Sequence, residues 1–173
     1  MKKLFVAVFT LFSICAHQVY AQNNSMPAPA IPKEFATLKQ LLGTWHGENQ
    51  MGEQKVNMTV HYKLTSGGTA ITETLMAGTP QEMVTVYHKD GDSVALTHYC
   101  MLGNQPHMKL TQASNKELSF VLHGKQGITS AKEPHMGAVK VRLLDDNTLE
   151  QQWQHFVDGK LVSTSVFTFT RET

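Results

Sequence analysis

Beyond its first residues the sequence has no long apolar run, so nothing later in the chain approaches the ~20 apolar residues a membrane-spanning helix needs. It also lacks a charge excess. Fifteen Lys and Arg stand against 14 Asp and Glu, a formal net charge of +1, with no cluster of basic residues. That leaves no electrostatic footprint for nucleic acid or for an anionic membrane surface. Cysteine is nearly missing, with only Cys15 and Cys100. No nucleophile elbow, phosphate-cradling glycine loop or His-Glu-x-x-His zinc motif occurs.

What is present begins with Lys2 and Lys3, followed by an almost uncharged run from Leu4 to Ala16 and by Val19-Tyr20-Ala21. Small residues at −3 and −1 mark a secretory signal over 1–21, cut after Ala21, with an apolar core too short to anchor. Ile14, bulky and directly before Cys15, argues against a lipoprotein signal. A periplasmic or secreted protein is expected. Loss of Lys2 and Lys3 leaves 13 basic against 14 acidic residues and Cys100 as the lone thiol. An intrachain disulfide is then impossible, and Cys100 reads as a small buried hydrophobe, with intermolecular pairing or reactivity as alternatives. Residues 22–33, QNNSMPAPAIPK, read as a disordered leader, and 34–173 as one domain.

Phe35, Leu38, Leu41 and Leu42 recur at helical spacing and predict a turn or two of helix ending at Gly43. The period then changes. Val56, Met58, Val60, Tyr62 and Leu64 alternate with polar residues, the pattern of a strand with one apolar face. Turn signals at 66–68, 78–80, Asp90-Gly91, 102–106, 114–115, 145–147 and Asp158-Gly159 divide the rest. Ten strands result, at 44–50, 56–64, 69–77, 82–89, 93–100, 107–113, 117–123, 137–144, 148–157 and 160–170. With short connections and no helix able to cover a sheet, the expected fold is an all-β, ten-stranded antiparallel up-and-down barrel with a short N-terminal helix. The long stretch 124–135 reads as a lid or a mobile loop.

Leu42-Gly43-Thr44-Trp45-His46-Gly47, after a helical turn and before antiparallel strands, resembles the Gly-x-Trp opening of calycin-type barrels: lipocalins, fatty-acid-binding proteins and nitrobindin-like haem-binding barrels. The resemblance implies that Trp45 plugs one end of a calycin-like barrel. The segment from Glu73 to Met108 also resembles a family of exported bacterial proteins without an established activity.

The candidate site residues are polar groups expected on the inner wall. Glu73, Glu82, His98 and Gln152 are read as inward, Cys100 as sharing the face of His98. Met58, Val60, Leu96, Phe120, Val141, Trp153 and Phe167 are read as the apolar wall. Together they suggest a non-catalytic protein holding a small, largely apolar molecule, with Glu82 and His98 orienting it. The alternative for these polar residues is a satisfied internal network. His98 and Cys100, at i and i+2, can chelate with His88 or His107, although the histidines are spread along the chain rather than grouped. Haem is the cofactor the nitrobindin likeness implies, with His98, His107, His135 and His155 as conceivable axial ligands. An enzyme reading casts Cys100 as nucleophile, His98 or His107 as base, and Asn104 or Gln105 as orienting group.

Overall fold

A computed structural model describes residues 30–173. The predicted signal segment 1–21, and all of the leader up to residue 29, lie outside the described residues. Helix α1 (Phe35–Lys39) is followed by β1 (Gly43–Met51), β2 (Gln54–Thr65), β3 (Ala70–Leu75), β4 (Met83–Asp90), β5 (Ser93–Tyr99), β6 (His107–Ala113), β7 (Glu117–Leu122), β8 (His135–Asp145), β9 (Thr148–Val157) and β10 (Lys160–Arg171). Each strand pairs antiparallel with its sequence neighbour, and β1 meets β10, so the sheet closes into a ten-stranded up-and-down barrel. Closure removes the edges that would otherwise expose unpaired backbone groups.

The seam is short. Only Trp45↔Arg171 and His46↔Thr170 are in register between β1 and β10. Beyond them the side chain of Asn49 accepts a 2.7 Å hydrogen bond from the Thr168 backbone N–H, standing in for a ladder bond. Gly47 sits where a Cβ would lie 2.1 Å from the Thr168 carbonyl oxygen, so the two backbones meet only because it has none.

The helix is shorter than its apolar spacing suggests. Gln40, Leu41 and Leu42 donate to carbonyls three residues back, a tightened last turn, before Gly43 leaves at φ 115°. Strand β8 starts two residues before its expected position, because a bulge between Met136 and Ala138 interrupts the alternation there. The Asp90 hairpin also differs. Asp90 pairs with Ser93, so the central residues are Gly91 and Asp92, and of these Gly91 alone takes positive φ. In the β9–β10 hairpin both central residues, Asp158 and Gly159, do so.

All seven wall residues named from the sequence, from Met58 to Phe167, are buried. They belong to a single core running the length of the barrel and joined by Phe35, Leu38 and Leu41 from the α1 segment.

Candidate functional site

The two barrel ends are built differently. At the end bearing α1, the Trp45 indole N–H donates to the Leu41 carbonyl at 2.7 Å, and its ring is wholly buried. The Arg171 guanidinium lies 4.0 Å from that ring's centroid and donates to the carbonyls of Leu42, Gln40 and Asp146. Thr37 and Gln40 tie the helix to the β6–β7 turn through the carbonyls of Ser114 and Asn115. This end is plugged.

At the opposite end a cavity of about 220 Å³ opens, lined by Met58, Leu75, Met76, Met83, His98, Cys100, Met101, Leu102, Met136, Trp153, His155 and Phe167, with Gln81, Ser163 and Ser165. Of the nine methionines in the sequence seven lie among the described residues, and five of those line this one cavity. They come from β2, the β3–β4 loop, β4, the β5–β6 turn and β8. Unbranched thioether chains adapt to irregular apolar shapes, so this wall can mould to what enters.

Beneath the cavity runs a buried polar circuit. The Trp153 N–H donates to Gln151 Oε1 at 3.0 Å, and Gln151 Nε2 donates to the Tyr62 hydroxyl. Glu73 accepts from the Tyr87 hydroxyl at 2.7 Å and from Thr85 at 3.5 Å, and the nearby Tyr62 and Gln151 dipoles also favour its charged form. Thr85 in turn meets His98 Nδ1 at 2.9 Å, and the His98 ring packs 4.5 Å from Trp153. Burial raises the Glu73 carboxyl above its usual range, opposed by the donors converging on it. Burial, then the Glu73 charge, lifts both tyrosine hydroxyls well above theirs. Desolvation pushes His98 down to about 4, so the imidazole is neutral at ordinary pH.

The structure gathers three of the five site residues. Glu73 is in the circuit, while His98 and Cys100 line the cavity. Glu82 does not point inward. It precedes β4, is exposed, and accepts a hydrogen bond from the Gly78 N–H. Its neighbours in β4 explain why: Thr85 pairs with His98 and Tyr87 with Leu96, so the inward parity is Met83, Thr85, Tyr87. Gln152 faces outward too and bonds Glu150, whereas the fully buried amide is Gln151, which shares the parity of Trp153. Tyr62, Thr85, Tyr87 and Gln151 were missed as site residues. For Gln151 the signal was available, since adjacent strand residues cannot both face in.

The chelating and nucleophilic arrangements are not assembled. No group of three or more His, Cys, Asp or Glu converges among the described residues. His107 bonds Thr97 and packs 5.6 Å from His88 on the outer face, away from Cys100. Asn104 does not bond its own turn. Its amide reaches Glu133 at 3.0 Å and the Pro134 carbonyl at 2.8 Å, while Gln105 bonds Gly103. Burial pushes the Cys100 thiol above its usual range, against the effect of the Leu102 and Met101 backbone N–H groups, so it is no ready nucleophile.

The stretch 124–135 is fastened rather than hinged. Gln105 and His107 donate backbone bonds to the Gly127 and Gln126 carbonyls at 3.0 Å, and Ile128 is buried. At Gly127, φ 78°, a Cβ would fall 1.7 Å from the Gln105 carbonyl oxygen, so glycine is required for that close approach. An open groove of about 480 Å³ lies alongside, but its carboxylate, Glu133, is already bonded by Thr129 and Asn104.

Of the four histidines conceivable for haem, only His98 and His155 line the cavity. His135 bonds the Glu133 carbonyl and stacks on Phe156. Pockets for drug-sized ligands run to roughly 300–1,000 Å³, and the 220 Å³ cavity would leave most of a haem macrocycle outside it.

No family model matches the chain, and no curated protein does. Among solved structures it is similar to a crystal structure of a protein of unknown function from the DUF3598 family of Nostoc punctiforme. The TM-score is 0.54 at 13% identity, covering 78% of this chain and 49% of that one. The chain thus spans about half the length of that protein, and at such identity the likeness is one of fold.

Proposed function

We propose that this chain is a calycin-like binding protein that holds a small, largely apolar molecule in the open-end cavity, acting without chemistry of its own. The observation that carries the reading is the 220 Å³ void left in an otherwise filled barrel and walled mainly by thioether, aromatic and aliphatic groups. Apolar ligand surface buried there contributes ~25 cal/mol per Å² before the ordering costs of association. The Gly43-Thr44-Trp45 opening and the Trp45 plug support the calycin-like description. The layout of residues 1–21 supports export, with the mature chain beginning at Gln22, which N-terminal sequencing of the product recovered outside the cytoplasm would check.

Native mass spectrometry of protein purified without denaturation tests the binding reading. The expected result is an added mass that denaturation removes, or saturable uptake of small apolar probes with a change in Trp153 fluorescence. Bare polypeptide that takes up no probe sinks it.

A further inference from the structure

Building on that binding reading, we propose that the ligand is an uncharged, largely apolar molecule with a hydroxyl-type hydrogen-bond donor, an alcohol or a phenol, given to Nε2 of His98. Three observations converge on this class. First, no Lys, Arg, Asp or Glu lines the cavity. A carboxylate or ammonium group would lose its hydration there without an opposite charge to offset the loss. Of the other polar lining residues, Gln81 and Ser163 are exposed, while Ser165 and His155 are half-buried, and His155 Nε2 is likewise without a hydrogen-bond partner.

Second, the hydrogen-bond circuit occupies Nδ1 of His98 and leaves Nε2 to the cavity. A threonine hydroxyl has one hydrogen to give. Thr85 Oγ1 lies 3.5 Å from Glu73 Oε1 and 2.9 Å from His98 Nδ1, and with its hydrogen turned to the carboxylate it accepts from Nδ1–H, the tautomer this proposal takes. The Nε2 lone pair is then left on a ring only 2% exposed, and it finds no hydrogen-bond partner among the described residues. Packing against Trp153 holds the plane of that ring.

Third, the imidazole is neutral at ordinary pH, so with its one hydrogen on Nδ1 the other nitrogen, Nε2, accepts. A ligand offering only a carbonyl or carboxylate oxygen would face lone pair with lone pair. A pure hydrocarbon would bind but leave Nε2 unsatisfied, at the cost an unpaired buried acceptor carries. A hydroxyl donor meets both demands.

The test is a calorimetric comparison of para-cresol, para-xylene and para-toluate, nearly isosteric probes that present a hydroxyl, a methyl and a carboxylate. Para-cresol is expected to bind roughly tenfold tighter than para-xylene, the size of one well-made buried hydrogen bond, and para-toluate weakest. His98→Phe keeps an aromatic ring against Trp153, and is expected to bring para-cresol to within about twofold of an unchanged para-xylene. Should that variant fold poorly, nitrogen-resolved NMR of the unaltered protein gives the same answer. His98 Nε2 is expected to be unprotonated, and to shift with para-cresol but not with para-xylene. Equal binding of para-cresol and para-xylene, tightest binding of para-toluate, or a proton on free Nε2 overturns the donor assignment while the binding cavity stands. Uptake of none of the three probes overturns both readings.

Discussion

The plugged and the open ends of this barrel share strands, hydrogen-bond pattern and inward alternation, yet one is solid and the other is not. At the plugged end the inward positions carry large rigid rings such as Trp45, Tyr62 and Phe169, each essentially buried, with α1 and Arg171 closing over them. At the open end the same positions carry Met58, Met83, His98 and Cys100, and no helix covers them. Backbone closure therefore does not decide whether a barrel of this size has room inside. The side chains decide it: rings under α1 and Arg171 fill and fix one end, while at the other five thioethers interspersed among the rings of His98, Trp153 and Phe167 leave the wall adaptable.

Trp45→Ala should produce the largest break in this contrast. It removes a fully buried ring together with its bond to Leu41 and its stacking under Arg171. A loss of about 3–5 kcal/mol is expected from the cavity alone, read from the urea midpoint. Any folded fraction should still bind probes at the other end.

Acid should separate the ends next. His98 is held near 4 when folded, against 6.5 as its ordinary value. The unfolded chain therefore takes up a proton first, and the His98 contribution to stability is full above about 6.5 and lost as pH falls towards 4. The loss is about 3 kcal/mol. Glu73 works the other way, since its raised carboxyl favours the folded state at low pH and disfavours it as pH climbs. Subtracting the pH–stability curve of His98→Phe from that of the native protein isolates the histidine. A difference curve flat between 6.5 and 4 would contradict a buried, neutral His98.

Between the two ends, Tyr87→Phe removes a donor from buried Glu73 and is expected to cost about 1–3 kcal/mol. Because that hydroxyl helps hold the carboxyl down, the Glu73 titration followed by carboxyl-carbon NMR should move further up.

Strand existence and turn positions were legible because alternation and turn dipeptides are local signals, and Val56 to Leu64 already announces β2. Facing was harder, because it depends on register between strands. Glu82 and Val84 fit a face of β4 on paper, and only the Thr85↔His98 pairing shows it to be the outer one. Gln152 reads as inward beside Trp153 only if the strand's alternation is ignored, since neighbours on a strand face opposite ways, and Gln151 is the buried residue. The methionine wall could not be read at all. Its members are scattered from Met58 to Met136 over five segments, and only closure of the barrel brings them to one place.

The smallest expected change in stability tests whether the open end is a doorway. Met101 lines the cavity and is 60% exposed, so it forms part of the rim rather than the packed wall. Met101→Ala removes little buried surface, and stability should stay within about 0.5 kcal/mol of the native value. If ligand passes this rim, the same change should speed both entry and exit of para-cresol by a similar factor. Its equilibrium affinity should then shift little, because the substitution lowers the barrier to passage and leaves the bound state as it was. Stopped-flow Trp153 fluorescence measures both rates. Unchanged rates with intact binding would mean that the ligand enters elsewhere, leaving Met101 an exposed side chain beside the cavity and not its gate.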